Sequence, residues 1–208
     1  MLLDNYTSPW MDEELHIMRN AVAKFLEKEF VPCMEKWEKQ GFLDRDAWLK
    51  AGEAGLLCAS IPAQYGGGGG NFKHEMVLVE ELSYANITGF GNGVHSGIVA
   101  HYINSYGTQE QKEKWLPKMA SGEIVSAIAM TEPGTGSDLQ SVKTTAMRDG
   151  DHYVLNGQKT FLTNGMTANL ICIVAKTDPS EAGKGISIIV VETETVEGEG
   201  GFSRGRNL

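Results

Sequence analysis

The spacing of apolar residues changes character once along this chain, just after Gly122, and that change limits the fold more than any other feature. Before it, apolar residues recur three and four positions apart. Leu15, Met18, Val22, Phe25, Leu26 and Phe30 fit one helical face. Asp12 can cap that helix, Glu13 and Glu14 suit its first turn, and Pro32 lies near its end. A shorter helix is expected from Asp44 to Gly55, with the glycine as a stop signal. Asn71 can cap a third helix with Phe72, Met76, Val79 and Leu82 on one face, leaving Glu75, Glu80 and Glu81 on a solvated one. Another is expected over Val94 to Ser105, ending by Gly107. Thr108 with Gln111 forms a capping-box pattern that opens a helix through Met119. The glycines from Gly66 to Gly70 lack a following Gly-Lys-Ser/Thr and so read as a flexible connection rather than a phosphate loop.

Beyond Gly122, short apolar segments alternate with turn signals. Strands are expected at Ile124–Met130, Val142–Arg148, His152–Leu155, Lys159–Thr163, Leu170–Ala175 and Ile186–Glu192. Asp149-Gly150-Asp151 marks a hairpin, and Asn156-Gly157 a second turn. Phe202 to Leu208 reads as the start of a further strand. The expected class is α+β: an N-terminal all-α helical domain over 1–122, then an antiparallel β-barrel or sandwich domain over 123–208.

Charge and composition remove several function classes. The 208 residues carry 27 acidic and 18 basic side chains, a formal net charge of −9, with no basic cluster to meet nucleic acid or an anionic membrane. No apolar run is long enough for a membrane span, and Met1–Asn5 lacks leader character. Cys33, Cys58 and Cys172 are far apart and form no Cys-x-x-Cys pair, so reduced, mostly buried thiols are expected, with the cytoplasm as default location or the mitochondrial matrix for a processed eukaryotic enzyme. His16, His74, His95, His101 and His152 show no zinc-ligand spacing, so no metal site is expected, and His95 and His101 read as structural or exposed.

Two segments remain for chemistry. Thr131-Glu132-Pro133-Gly134-Thr135-Gly136-Ser137-Asp138 is a polar turn closing an apolar run, and Thr160-Phe161-Leu162-Thr163-Asn164-Gly165 follows later. Together they read as hydroxyls, backbone N–H groups and one aromatic face, without an acid, base or metal ligand. That inventory suits a flat, polar-edged cofactor such as a flavin, with the cofactor carrying the redox step. Gly134-Thr135-Gly136-Ser137 lacks the third glycine and the crossover helix of a dinucleotide fingerprint. No Gly-x-Ser-x-Gly elbow is present.

Met130 through Asp138, followed by Asn156-Gly157-Gln158-Lys159 and Phe161-Leu162-Thr163-Asn164-Gly165, resembles the acyl-CoA dehydrogenase family. Trp37-Glu38-Lys39, Ala54-Gly55-Leu56-Leu57 and Pro62-Ala63-Gln64-Tyr65-Gly66-Gly67 resemble its N-terminal domain, and the run from His95 to Ile103 leans toward its long-chain branch. The resemblance implies flavin-dependent α,β-dehydrogenation of an acyl-CoA to the trans-2-enoyl-CoA, with electrons passed to an electron-transfer flavoprotein. It places FAD against Ile128, Met130, Thr131, Gly136, Ser137, Phe161, Leu162 and Thr163. Thr131 and the Met130 backbone would face the pyrimidine edge, Thr163 would lie near flavin N5, and Phe161 stands where many relatives carry tryptophan. Ser137 would also touch the pantetheine end of the substrate. The resemblance further implies a glutamate base in a C-terminal helical domain beyond Leu208, so that this chain would be an inactive fragment, and a homotetramer, or a dimer in some relatives, for the full-length protein. An oxidase of the same fold, or an inactive relative serving as a binding or assembly protein, stays open. From the residues alone, Gly93, Gly97 and Ala100, with Ser96 beside them, put small side chains along a helix. They permit either close helix packing or a slot for an acyl tail.

Overall fold

The computed structural model describes residues 7–196 and 201–207; Met1–Asn5 and Leu208 lie outside them. The chain divides into two compact units, Met1–Glu123 and Ile124–Leu208.

In the first unit, α1 (Glu13–Phe25) starts where Asp12 accepts a hydrogen bond from the Leu15 N–H at 3.0 Å. It runs into a wider π-helical turn, Leu26–Phe30. Leu15, Val22, Leu26 and Phe30 are buried, as their spacing predicts. The Phe30 ring meets Phe25, Trp37 and Phe90 edge-on at 5.1–5.2 Å. Trp48 of α3 (Arg45–Glu53) extends this cluster to Phe90 and His95. Each aliphatic or aromatic side chain fully buried here contributes roughly 1.5–3 kcal/mol. α2 (Met34–Gln40) has no counterpart in the apolar spacing, because Trp37 is its one buried residue.

The inner face of α4 (Phe72–Tyr84) differs from the expected one. Glu75, Val77, Leu78 and Glu81 are buried, whereas Phe72 is 72% exposed and Val79 45%. The two carboxylates tolerate burial because both are partnered. Arg19 Nε donates to Glu81 at 2.7 Å, and the N–H and hydroxyl of Ser60 donate to Glu75 at 3.0 and 2.9 Å.

After α4 come α5 (Asn92–Val94), a π-helical turn (His95–Val99), α6 (Ala100–Tyr106) and α7 (Gln109–Ala120). The π turn splits the small-residue stripe: Ser96 and Ala100 face inward, and Gly93 and Gly97 outward. His95 is fully buried with Nε2 3.0 Å from the Met119 carbonyl, and burial pushes its pKa down to about 4.

The five glycines form a pinned loop. Gly68, Gly69 and Gly70 donate backbone N–H bonds to Cys58, Ile61 and Ala59 at 2.9–3.1 Å. A Cβ on Gly67 would collide with the Ile61 carbonyl. Glycine is therefore used for close backbone approach, not for looseness.

The second unit is a five-stranded sheet: β1 (Ser126–Ala129), β2 (Thr145–Asp149), β3 (His152–Asn156), β4 (Leu170–Lys176) and β5 (Ile186–Glu192). It is mixed rather than purely antiparallel, because β1 and β2 both run parallel to β4. β5 covers one edge of β4 along its whole length. β1 and β2 therefore share the other edge end to end, β1 at 170–173 and β2 at Lys176. The chain from Met130 to Thr144 is an excursion between them. Ala127, Ala129, Ala168, Ile171 and Ile173 form a core against which Leu155, Leu162, Val191 and Phe202 pack. Lys159–Thr163 is an irregular loop rather than a strand, and Phe202 makes only an isolated bridge.

Gly67→Ala is expected to lower stability by about 2 kcal/mol or more, because rigid backbone blocks the new Cβ. Gly69→Asn, at φ +67° with room around it, should change stability by less than about 1 kcal/mol. Urea unfolding of the two variants checks this, and equal midpoints would restore the flexible-linker reading.

Candidate functional site

The excursion from Met130 to Thr144 begins with a backbone bridge. Glu132 and Thr135 exchange N–H···O bonds at 2.9 and 3.1 Å. The Glu132 side chain then closes the excursion at its far end. Its carboxylate accepts the N–H of Lys143 at 2.7 Å, the N–H of Thr144 at 2.9 Å and the hydroxyl of Thr144 at 2.5 Å. Thr144 is itself anchored to the sheet, since its carbonyl accepts the Lys176 N–H at 2.8 Å.

A fourth donor comes from the second motif. Lys159 Nζ lies 2.9 Å from Glu132 and 2.9 Å from the Met130 carbonyl, with both charged side chains under a tenth exposed. The adjacent Thr160 N–H donates to the Thr131 carbonyl at 2.9 Å. The two loops are thus joined, residue by residue, at Met130–Glu132 and Lys159–Thr160. Burial by itself raises the Glu132 pKa. The bonds from Thr144, Lys143 and Lys159 outweigh it and hold the group near 2.

Other residues set the second loop. Gly157 passes so close to the Thr144 side chain that a Cβ would collide with it. Phe161 and Asn164 adopt left-handed backbone, φ +58° and +65°. Asn164 donates from its side chain to the Ser126 carbonyl at 3.0 Å. Arg204 reaches the carbonyls of Gly165 and Ala168 at 3.2 and 2.8 Å. Leu162 is half-buried against the sheet core, which turns Phe161 and Thr163 outward on either side of it. Phe161 is 72% exposed, and a bulky residue held at positive φ with its ring in solvent is a feature of ligand sites.

Of the residues anticipated from sequence, Ile128 is half-buried on β1 opposite Cys172, and Met130 and Thr131 are half-buried where the strand ends. Gly136 and Ser137 are exposed on the excursion, with open space around Gly136. The hydroxyls of Thr131, Ser137 and Thr163 take no hydrogen-bond partner among the described residues. Gly93 and Gly97 belong to the helical unit, exposed and with nothing within 4 Å of an added Cβ. The expectation that the motifs hold no acid or base is corrected: Glu132 is an acid and Lys159 a base, and the two pair with each other in the interior. The available signal was Glu132 inside the first turn-rich segment and Lys159 immediately before the second.

The Glu132 pKa is depressed in the fold, so its stabilisation is complete above the ordinary glutamate value of 4.5 and disappears as pH falls through about 2. Glu132→Gln, which leaves Lys159 buried without its counter-ion, should cost about 3 kcal/mol at neutral pH. The gap between variant and wild type should narrow progressively below pH 4.5 in urea titrations. A gap that does not vary with pH would exclude this account.

The chain matches the family model for the acyl-CoA dehydrogenase N-terminal domain over residues 12–123 and that for the middle domain over residues 127–208. It is 46% identical over 197 residues to the mouse long-chain specific acyl-CoA dehydrogenase, mitochondrial, covering 94% of this chain and 45% of that protein. A crystal structure of acyl-CoA dehydrogenase from Geobacillus kaustophilus superposes with a TM-score of 0.86 at 50% identity, over 89% of this chain and 50% of the other. A glutaryl-CoA dehydrogenase from Mycobacterium smegmatis in complex with FADH2 superposes with a TM-score of 0.82 at 30% identity, over 93% and 48%. The chain spans about half the length of the relatives it matches. Two adjacent domain matches in the order of the two compact units, on a fold shared at this identity, mean that the chain belongs to the acyl-CoA dehydrogenase family.

Proposed function

We propose that this chain forms the N-terminal and middle parts of a flavin-dependent acyl-CoA dehydrogenase that converts an acyl-CoA thioester to its trans-2-enoyl product. One observation carries the reading. Lys159 and Thr160 bond to the carbonyls of Met130 and Thr131, so the two motif loops meet and leave hydroxyls and an aromatic ring unpartnered beside the joint.

These residues fit FAD. The exposed Phe161 ring offers a stacking face. Thr163 presents a free hydroxyl beside it for the N5 side, while Thr131 offers a hydroxyl and a backbone N–H to the pyrimidine edge. Ile128 on β1 and Leu162, packed against the sheet core, support these positions, and Gly136 lets backbone come close to the ligand. FAD, when bound, supplies a two-electron acceptor for the β hydrogen of the thioester. Donors fixed beside a ring edge would stabilise charge there without reorganising. Ser137, exposed on the excursion, would touch the pantetheine arm. Gly93 and Gly97 leave side-chain volume free for an acyl tail. The α-proton base belongs to a part of the enzyme outside these residues, and an electron-transfer flavoprotein is the expected oxidant of the reduced enzyme. A homotetramer is the expected assembly.

The test is anaerobic mixing of the flavin-loaded enzyme with acyl-CoA. The visible flavin absorbance should bleach and enoyl-CoA should form, with Thr163→Val slowing the step, and the 208 residues alone should turn over nothing. Peroxide formation in step with enoyl-CoA in air would assign an oxidase instead, and absence of bound flavin would end the reading. Gly97→Leu should shift chain-length preference toward shorter acyl groups, measured as the ratio of kcat/KM values. An unchanged ratio would remove Gly93 and Gly97 from the substrate site.

A further inference from the structure

We propose that Lys159 is a positioning residue for the flavin, acting through the Met130–Thr131 peptide to aim and strengthen the Thr131 N–H. The inference rests on the flavin reading above.

The Met130 carbonyl and the Thr131 N–H belong to one planar trans peptide and point in opposite directions. Lys159 Nζ sits 2.9 Å from that carbonyl. Its charge therefore lies directly behind the Thr131 N–H. It holds the peptide plane in one orientation and draws electron density from the N–H, as linked hydrogen bonds do in a low-dielectric setting. The lysine side chain is only 8% exposed, so water screens this little. At the other end, the Thr131 N–H finds no acceptor among the described residues. The next carbonyl, that of Thr131, is taken by the Thr160 N–H. Consecutive residues of the second loop thus clamp consecutive carbonyls of the first.

A pair serving only to neutralise Glu132 has no need of this placement. Glu132 already accepts from Lys143 and twice from Thr144. The bond from Lys159 to the Met130 carbonyl does nothing for that carboxylate, and it is the one that reaches the ligand side.

Reduction adds negative charge to the ring edge beside Thr131, so a stronger donor there favours the reduced form. Lys159 raises the flavin midpoint potential and Glu132 opposes it. Spectroelectrochemical titration of the flavin-loaded enzyme tests this. Lys159→Met should lower the equilibrium constant for reduction by about tenfold, which is about 30 mV for a two-electron couple. Lys159→Arg should recover most of the loss, and Glu132→Gln should shift the potential upward. Opposite shifts in the Met and Gln variants support the proposal. Shifts in one direction, or none with flavin still bound, overturn it. Where Lys159→Met fails to fold or to retain flavin, the sign in Glu132→Gln decides: upward supports, unmoved or downward overturns. A wild-type enzyme that takes up no flavin removes the site reading and this inference together.

Discussion

The sheet unit is organised around a largely buried carboxylate. Glu132 is buried, and a buried negative charge persists only when donors surround it. Each of its donors fixes a different piece of chain. Lys143 and Thr144 close the excursion, Thr144 ties the closure to β4, and Lys159 brings in the loop after β3. The return is geometric more than energetic. A buried ion pair gains little over apolar packing of the same volume, yet it admits few alternative arrangements of its partners. Two irregular loops, which have no ladder of their own, thereby acquire one relative position.

The same principle recurs in the helical unit with a different result. Glu75 and Glu81 turn inward on α4 and are matched by Ser60 and Arg19, which fastens the 58–61 turn and α1 to that helix. Beside this turn the glycine loop packs backbone to backbone at spacings no side chain allows. Local rigidity here comes from polar pairing and close backbone contact as much as from the aromatic cluster around Phe30.

The joined loops also explain why hydroxyls and an aromatic ring are left over. Leu162 spends its side chain on the sheet core, Asn164 and Arg204 hold the backbone after it, and Lys159 and Thr160 hold the backbone before it. The side chains of Phe161 and Thr163 carry no such duty and are exposed, and the hydroxyl of half-buried Thr131 takes no partner among the described residues. Groups presented this way hold a fixed position, because the segment carrying them is fastened at both ends.

Much of this was legible in the residues themselves. The switch from helical to strand periodicity after Gly122, the caps at Asp12, Asn71 and Thr108, and the buried run of β4 are local properties. Local chain chemistry sets them, so a one-dimensional reading recovers them. The pairing of strands, the inner face of α4 and the roles of Glu132 and Lys159 are not local. Parallel alignment of β1 and β2 on one edge of β4 joins residues far apart in the chain, and nothing in a strand's own composition states its partner. Helical spacing alone puts Glu75 and Glu81 on a solvated face, because that is where unpaired charge is cheapest. Arg19, Ser60, Thr144 and Lys159 reverse that preference, and they reach Glu81, Glu75 and Glu132 only once the chain has folded. The sequence by itself determined most of the helices and strands, because periodicity and caps are local; the tertiary structure decided which charges could be buried, since that depends on partners that distance along the chain conceals.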